Sequence, residues 1–204
     1  APQGSNLLVS RSGLLKIADW GLARSWSSNE NERGRYTNRV ITLWYRPPEL
    51  LLGAERYGPP VDMWSVGCLL AELRQHKPIL TGSTEAEQMS LIFDLCGSPN
   101  PENWPSVDKL PHWEVVSNAN ENEQAKQRVL RERFHKFEPA LLDLVDRLLV
   151  LDPSRRYTAE DCLRCAFLRD ACKPEELGKL PFHGSAHEWE RKRRRDIHHP
   201  QKAA

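Results

Sequence analysis

A mainly α-helical domain with one small β-hairpin near its start is what this sequence predicts, and three observations carry the prediction. Residues 61–73 are apolar nearly all the way round, with Val61, Met63, Trp64, Val66, Cys68, Leu69, Leu70 and Leu73. A helix without a polar face is a central one, packed on several sides. Leu141, Leu144, Val145, Leu148 and Leu149 recur at helical spacing, with Asp143, Asp146 and Arg147 on the other face, as an amphipathic helix requires. Two short apolar runs, Leu7-Leu8-Val9 and Leu14-Leu15-Lys16-Ile17, flank Ser10-Arg11-Ser12-Gly13 and read as paired strands about a turn.

The remaining elements follow in chain order. Residues 25–39 are dominated by Ser, Asn, Glu and Arg and form a loop; long ordered loops tend to be functional. Thr84 with Glu87 three residues on makes a capping box for a helix carrying Met89, Leu91, Ile92 and Leu95. Gly97, Pro99 and Pro101 stop it. Residues 97–125 are Pro- and Asn-rich and read as irregular, with Trp104 and Trp113 stapling them to the helical core. Thr158 caps a further helix to about Leu168. Beyond Lys173 the chain turns polar and basic, which predicts an extended tail.

Composition narrows the class. The 204 residues allow one domain with a real core, or a domain and a tail. Hydrophobic residues make 39% and charged residues 28%, with a formal net charge of +1, so bulk charge argues for neither nucleic acid nor membrane. No apolar run approaches the roughly 20 residues of a membrane helix, and no basic-then-apolar leader opens the chain. Five cysteines at irregular spacing are not a disulfide framework and point to a reducing, intracellular compartment. Cys162-x₂-Cys165 with His183-x₃-His187 resembles zinc spacing, but the 17-residue gap is longer than a C₂H₂ finger uses. Ordinary helical cysteines are the preferred reading. The cationic run over residues 191–195 reads as a solvated tail or a nuclear-localisation signal.

Three short stretches gain meaning together: Asn6 before two apolar residues, Asp19-Trp20-Gly21 after a strand, and Pro47-Pro48-Glu49 closing the long loop. Each is weak singly. In this order they supply two oxygen ligands for Mg²⁺ followed by a docking segment, the parts that phosphoryl transfer needs.

With those residues the chain resembles the protein kinase family. Asn6 matches the Asn that ends the catalytic loop, and Asp19 the metal-binding Asp of the D-F-G motif, with Trp20 in the Phe position. Glu49 matches the Glu of A-P-E, with Pro47 in place of Ala, and the resemblance implies that it pairs with Arg156. Asp62 resembles the Asp that anchors the catalytic loop. The run Tyr36-Thr37-Asn38-Arg39-Val40-Ile41-Thr42-Leu43-Trp44-Tyr45-Arg46 is similar to the activation segment of cyclin-dependent kinases, most of all the transcription-elongation branch.

That resemblance implies further roles. Thr37 is the activation-loop phosphosite, with Arg24 pairing its phosphate; Val40, Thr42, Trp44 and Arg46 shape the pocket for a proline after the target Ser/Thr. It also implies the fold of a kinase C-terminal lobe, ATP and Mg²⁺ as cofactors, a cyclin partner and a nuclear location. The implied substrate is Ser/Thr-Pro motifs such as those of the RNA polymerase II C-terminal tail. Membrane association and direct nucleic-acid binding are not expected.

The likeness breaks at the start. Counting back from Asn6, the catalytic Asp should stand at position 1 and its Lys at position 3, where the chain has Ala1 and Gln3. The Gly-rich loop, the phosphate-gripping Lys and the hinge find no counterpart, and the chain opens without Met. The expectation is a partial kinase domain over residues 1–172, cut off upstream with the N-lobe absent, and a basic tail over 173–204. Such a chain is expected to be inactive alone, with a non-catalytic interaction module, a short isoform keeping the docking lobe, as the alternative. Which cyclin and which substrate the sequence leaves open, as it does whether the chain folds alone.

Overall fold

The computed structural model describes residues 6–10, 13–24, 26–27, 34, 36–38, 40–119 and 124–169. They fall into two compact units, residues 6–19 and residues 20–169. The basic tail, and with it residues 191–195, His183 and His187, lies outside the described residues.

The first unit is an antiparallel hairpin of β1 (Leu7–Val9) and β2 (Leu15–Ile17), with Leu7 opposite Ile17 and Val9 opposite Leu15. Gly13 turns the chain at φ +81, where a Cβ would be strained. The expected strand started one residue earlier, at Leu14; that residue instead gives its N–H to the Ser10 hydroxyl at 3.0 Å and closes the turn.

The second unit is helical. Its elements are α1 (Pro48–Leu51), α2 (Pro60–Gln75), α3 (Glu85–Cys96), α4 (Trp113–Ala119), α5 (Leu130–Arg133), α6 (Pro139–Leu148), α7 (Ala159–Arg164) and α8 (Ala166–Arg169). Single 3₁₀ turns stand at Leu43–Tyr45, Val107–Lys109 and Pro153–Arg155. Pro60 opens α2 with its φ already helical, and His76 ends it in the left-handed region at φ 60. Along α2 the side chains of Val61, Met63, Trp64, Cys68 and Leu69 are buried and those of Val66 and Leu70 half-buried, but Leu73 is 66% exposed, so the expected packing on several sides stops short of the last turn. α6 packs along it: Met63 joins Leu144, Leu148 and Cys162 in one cluster, flanked by Val66, Leu70, Tyr157, Phe167 and Leu168. The helices approach closely at Gly67, where a Cβ would lie 2.9 Å from Leu148 Cβ and Leu149 Cδ2.

Three details correct the sequence reading. Residues 97–125 are not irregular throughout, because α4 forms inside them; the His112 N–H donates to the Leu52 carbonyl at 3.0 Å and fixes its entry. The helix after Thr158 does not run unbroken to Leu168: Cys165 turns extended (ψ 158) and separates α7 from α8. The capping box of α3 is split. Thr84 accepts from the Glu87 N–H, but the Glu87 carboxylate takes the N–H and hydroxyl of Ser83 instead of the Thr84 N–H. At α7 the box is complete, with Thr158 and Asp161 exchanging both bonds.

These caps titrate. Hydrogen bonds from Ser83 hold the Glu87 carboxyl below its ordinary 4.5, and those from Thr158 hold Asp161 below its ordinary 3.8. A carboxyl with a depressed folded pKa binds fewer protons in the folded state than in the unfolded one near pH 4. Its stabilisation is present above the unfolded value and lost as pH falls through the folded one. In a ¹³C titration both carboxyls are expected to show midpoints below those of Glu and Asp in short peptides; ordinary midpoints would show that the caps are open in solution.

Cys68, Cys96 and Cys162 are buried and free. Burial pushes Cys96 and Cys162 up to about 11, which keeps them thiols and poor metal ligands. Among the described residues no group of three His, Cys, Asp or Glu could hold a metal ion, and no helix is long and apolar enough to cross a membrane.

Candidate functional site

In the hairpin unit, the Ala18 N–H donates to the Asn6 carbonyl at 2.8 Å, extending the ladder one step past Leu7 and Ile17. Asn6 therefore stands opposite Ala18, and Asp19 follows directly after it at the same open end. Asp19 has φ 61, a left-handed conformation that Asp tolerates better than most residues and that concentrates at functional sites. Asn6 and Asp19 each carry an oxygen donor of the hard kind that Mg²⁺ takes alongside substrate phosphates, and in that respect the two residues suit a magnesium ion.

In the helical unit, residues 36–38 and 40–46 are tied down at several points. The Tyr36 N–H donates to the Glu55 carbonyl at 2.7 Å, and the Tyr36 and Tyr57 rings lie 5.3 Å apart. The Tyr57 hydroxyl donates to the Thr37 carbonyl at 2.7 Å, leaving the Thr37 side chain exposed. Burial raises the Tyr57 pKa, opposed by the positive charge of nearby Arg24. Arg24 spends Nη1 on the carbonyls of Ala23 and Gly21. Arg24, Tyr57 and Thr37 are thus gathered at one place, although Arg24 makes no hydrogen bond to Thr37.

Arg46 organises the next stretch. Its Nε donates to the Val40 carbonyl at 3.0 Å, and its Nη2 to the Ile41 carbonyl at 3.1 Å. Its Nη1 pairs with Glu85 Oε1 at 2.7 Å. Ile41 is held at φ 69. A β-branched residue there is a true outlier, and it persists only where its surroundings over-determine it; the Arg46 guanidinium supplies that constraint. Thr42 opens the 3₁₀ turn with its carbonyl accepting from the Tyr45 N–H at 2.9 Å. Trp44, 40% exposed, donates its indole N–H to the Gly82 carbonyl at 3.0 Å. Tyr45 points inward: its hydroxyl donates to Glu72 at 2.7 Å, and its carbonyl accepts from the Ser65 hydroxyl at 3.0 Å. Burial, the first cause, and Glu72 together raise the Tyr45 pKa, so it remains a neutral donor.

Below this stretch Glu49 and Arg156 meet, 107 residues apart in sequence. The pair is bidentate, Nη1 to Oε1 at 2.8 Å and Nη2 to Oε2 at 3.0 Å, with side chains 4% and 0% exposed. Arg156 also donates to the Pro60, Val150 and Leu151 carbonyls and lies over the Trp64 ring at 5.1 Å. Asp62 sits in the first turn of α2, where desolvation raises its carboxyl pKa. The catalytic-loop segment it is expected to anchor is outside the described residues, as is Ala1.

Sequence reasoning missed Ile41, Glu85, Tyr57 and Gly82. Nothing marks a β-branched residue for a left-handed backbone, and Glu85 reads only as a first-turn acid that favours any helix N-terminus.

Comparisons with known proteins bear on this arrangement. The protein kinase domain family matches residues 3–168. Cyclin-dependent kinase C-1 of rice (Oryza sativa subsp. japonica) is 50% identical over 95% of this chain and 36% of its own length. Cyclin-dependent kinase 9 of Bos taurus is 46% identical over 89% of this chain and 49% of its own. The chain therefore spans about a third to a half of the length of these two relatives. Among solved structures, the yeast RNA Pol II CTD kinase CTDK-1 complex has a chain with TM-score 0.78 and 40% identity, covering 87% of this chain and 57% of that one. A CAK complex from Chaetomium thermophilum bound to ATP-gamma-S gives TM-score 0.74 at 42% identity, covering 86% and 54%.

Proposed function

Because this chain belongs to the protein kinase family, within its cyclin-dependent kinases, we propose that it is the substrate-docking portion of a kinase that phosphorylates Ser/Thr before Pro. The observation that carries this reading is the grip of Arg46 on the Val40 and Ile41 carbonyls. Each of those carbonyls already accepts from the guanidinium, which leaves it a poorer acceptor for the N–H of a substrate residue following the target hydroxyl. An orphaned buried donor costs about 1–3 kcal/mol, and proline has no N–H to orphan. The substrate we favour is the tail of RNA polymerase II, after the yeast RNA Pol II CTD kinase complex, with a cyclin as partner; a nuclear location is carried over from the sequence resemblance alone.

Asn6 and Asp19 are the residues that would hold Mg²⁺, which when bound neutralises phosphate charge and orients ATP. Thr37 and Arg24 would form the phosphorylation switch, a dianion paired by a guanidinium, on a loop that Tyr57 already braces. Glu49 and Arg156 would hold the docking segment on the helical core. The proton acceptor for the substrate hydroxyl is the missing part, since Ala1 stands where the resemblance puts the base. Lack of a positioned base costs about 10²- to 10⁴-fold, roughly 3–5.5 kcal/mol of barrier. The 204-residue chain is therefore expected to incorporate no phosphate into a Ser-Pro peptide from MgATP, and MgATP is expected to leave its unfolding temperature unchanged. Phosphate incorporation would overturn the inactive reading, and an upward shift would establish a working nucleotide site.

A non-catalytic reading draws on the same geometry. The docking segment is held by Trp44, Tyr45 and Arg46, none of which needs a catalytic base. A chain that binds Ser-Pro peptides without phosphorylating them, and prefers them to Ser-Ala peptides, would act as an interaction module.

A further inference from the structure

α3 meets the docking segment through Glu85 in its first turn. Its other end, about 18 Å away along a helix of 12 residues, opens on a separate cleft of about 640 Å³, well within the size of ligand sites. The walls are built in advance. Asn100 and Asn103 bond each other's backbone and side chain, and the Asn103 amide donates to the Ser98 carbonyl at 2.9 Å. The Ser98 hydroxyl accepts from the Lys126 N–H at 3.0 Å and pins the facing segment.

The cleft is cationic in a chain that is nearly neutral. Lys126, Arg128, Arg131, Arg147 and Arg155 line it against two carboxylates, Asp143 and Asp146; Asp94 and Asp152 behind the wall take one cation each. Backbone carbonyls and carboxylates share its guanidiniums, and Arg131 is taken up by Asp143 and Asp146. Arg128 donates to the Leu149 and Asp146 carbonyls at 2.9 Å, besides its pair with the Asp146 carboxylate. Arg155 donates to the Glu102 carbonyl at 2.7 Å, and its carboxylate partner Asp152 is 3.5 Å away. Arg147 lies over the Tyr157 ring, 5.0 Å from its centroid, and makes no ion pair among the described residues. Fixed forks with unused N–H groups are the apparatus that recognises phosphate, two parallel bonds at a time. The wall's own bonds use both polar atoms of the Asn103 side chain and the Asn100 oxygen, which leaves Asn100 Nδ2 to donate to a peptide carbonyl, a partner that a lipid chain or a bare ion lacks.

We propose that this cleft binds a phosphorylated Ser/Thr segment of a partner protein, with Arg147 and Arg155 as the principal phosphate ligands. This site does not depend on the phosphotransfer reading, since it shares no residue with it. The test is fluorescence anisotropy of the 204-residue chain with a labelled alanine-rich peptide carrying one phosphoserine, its serine counterpart, and inorganic phosphate as competitor. ¹H–¹⁵N shifts locate the site. The phosphopeptide is expected to bind about tenfold or more tighter than either control, with shifts confined to residues 97–103, 126–131 and 147–155. Combined Arg147→Gln and Arg155→Gln is expected to remove that advantage at unchanged unfolding temperature. Arg147→Lys, which keeps charge and loses the planar fork, falls between. Equal affinity for both peptides, displacement by inorganic phosphate at the peptide's own concentration, or binding indifferent to the substitutions would each overturn the proposal.

Discussion

Arg156→Ala is expected to lower stability by about 3–5 kcal/mol, the cost of breaking a buried ion pair from one side. At about 2–4 °C per kcal/mol for a domain of this size, the unfolding midpoint should fall by roughly 6–20 °C. The size of the effect follows from what remains. Glu49 is 4% exposed, and without Arg156 its carboxylate has neither water nor counter-charge. The Pro60, Val150 and Leu151 carbonyls also lose their donor, and Trp64 loses the cation over its ring. Three parts of the fold are released at once: α1, the start of α2 and the loop after α6.

Two companion variants separate charge from fit. Arg156→Lys keeps the charge but cannot make the bidentate pair, and should recover only part of the loss. Glu49→Leu combined with Arg156→Met removes both charges, and by the precedent of apolar replacements it should be far less harmful than either single change. A double-mutant cycle over thermal unfolding measures the coupling. Additive single and double effects would show that the two residues do not act as a pair.

What could be read from the sequence follows the length scale of the interaction that decides each element. The hairpin was legible because Gly13 and two apolar runs act within a dozen residues. α2 and α6 were legible because their apolar residues declare a face or the lack of a polar one. α4 was not: Trp113-Glu114-Val115-Val116-Ser117-Asn118 carries β-branched and short polar residues of low helix propensity. Its start is set by the bond from His112 to Leu52, far away in sequence. The break at Cys165 had no Gly or Pro to announce it; packing of Phe167 and Leu168 against the cluster of Met63, Leu144 and Leu148 turns the chain there. At the docking segment, motif order brought Arg46, Trp44 and Thr37 forward. Their partners Glu85, Gly82 and Tyr57 are ordinary residues whose role exists only once the chain is folded.

Gly82→Ala tests that last point with a single methyl group. A Cβ on Gly82 would sit 2.6 Å from the Gln88 nitrogen and 2.7 Å from its Cα, and a helix backbone cannot yield as a side-chain tip can. Gly82 also carries two bonds: its N–H donates to Gln88 Oε1 at 2.9 Å, and its carbonyl accepts from Trp44 at 3.0 Å. Gln88 is fully buried, with an Nε2 that already lacks a partner. Overpacking of this kind costs about 1–3 kcal/mol, and stranding the Gln88 oxygen adds about 1–3 kcal/mol. The first turn of α3 is then expected to move away from residues 40–46, taking Glu85 from Arg46 and freeing the Trp44 indole. Three readouts should change together: the unfolding midpoint falls, the Trp44 indole N–H resonance moves to its solvent-exposed position, and the Ile41 backbone relaxes to negative φ. If the midpoint falls while the Trp44 and Ile41 signals stay in place, α3 stabilises the lobe without shaping the docking segment. In that case the Arg46 grip alone sets the left-handed Ile41.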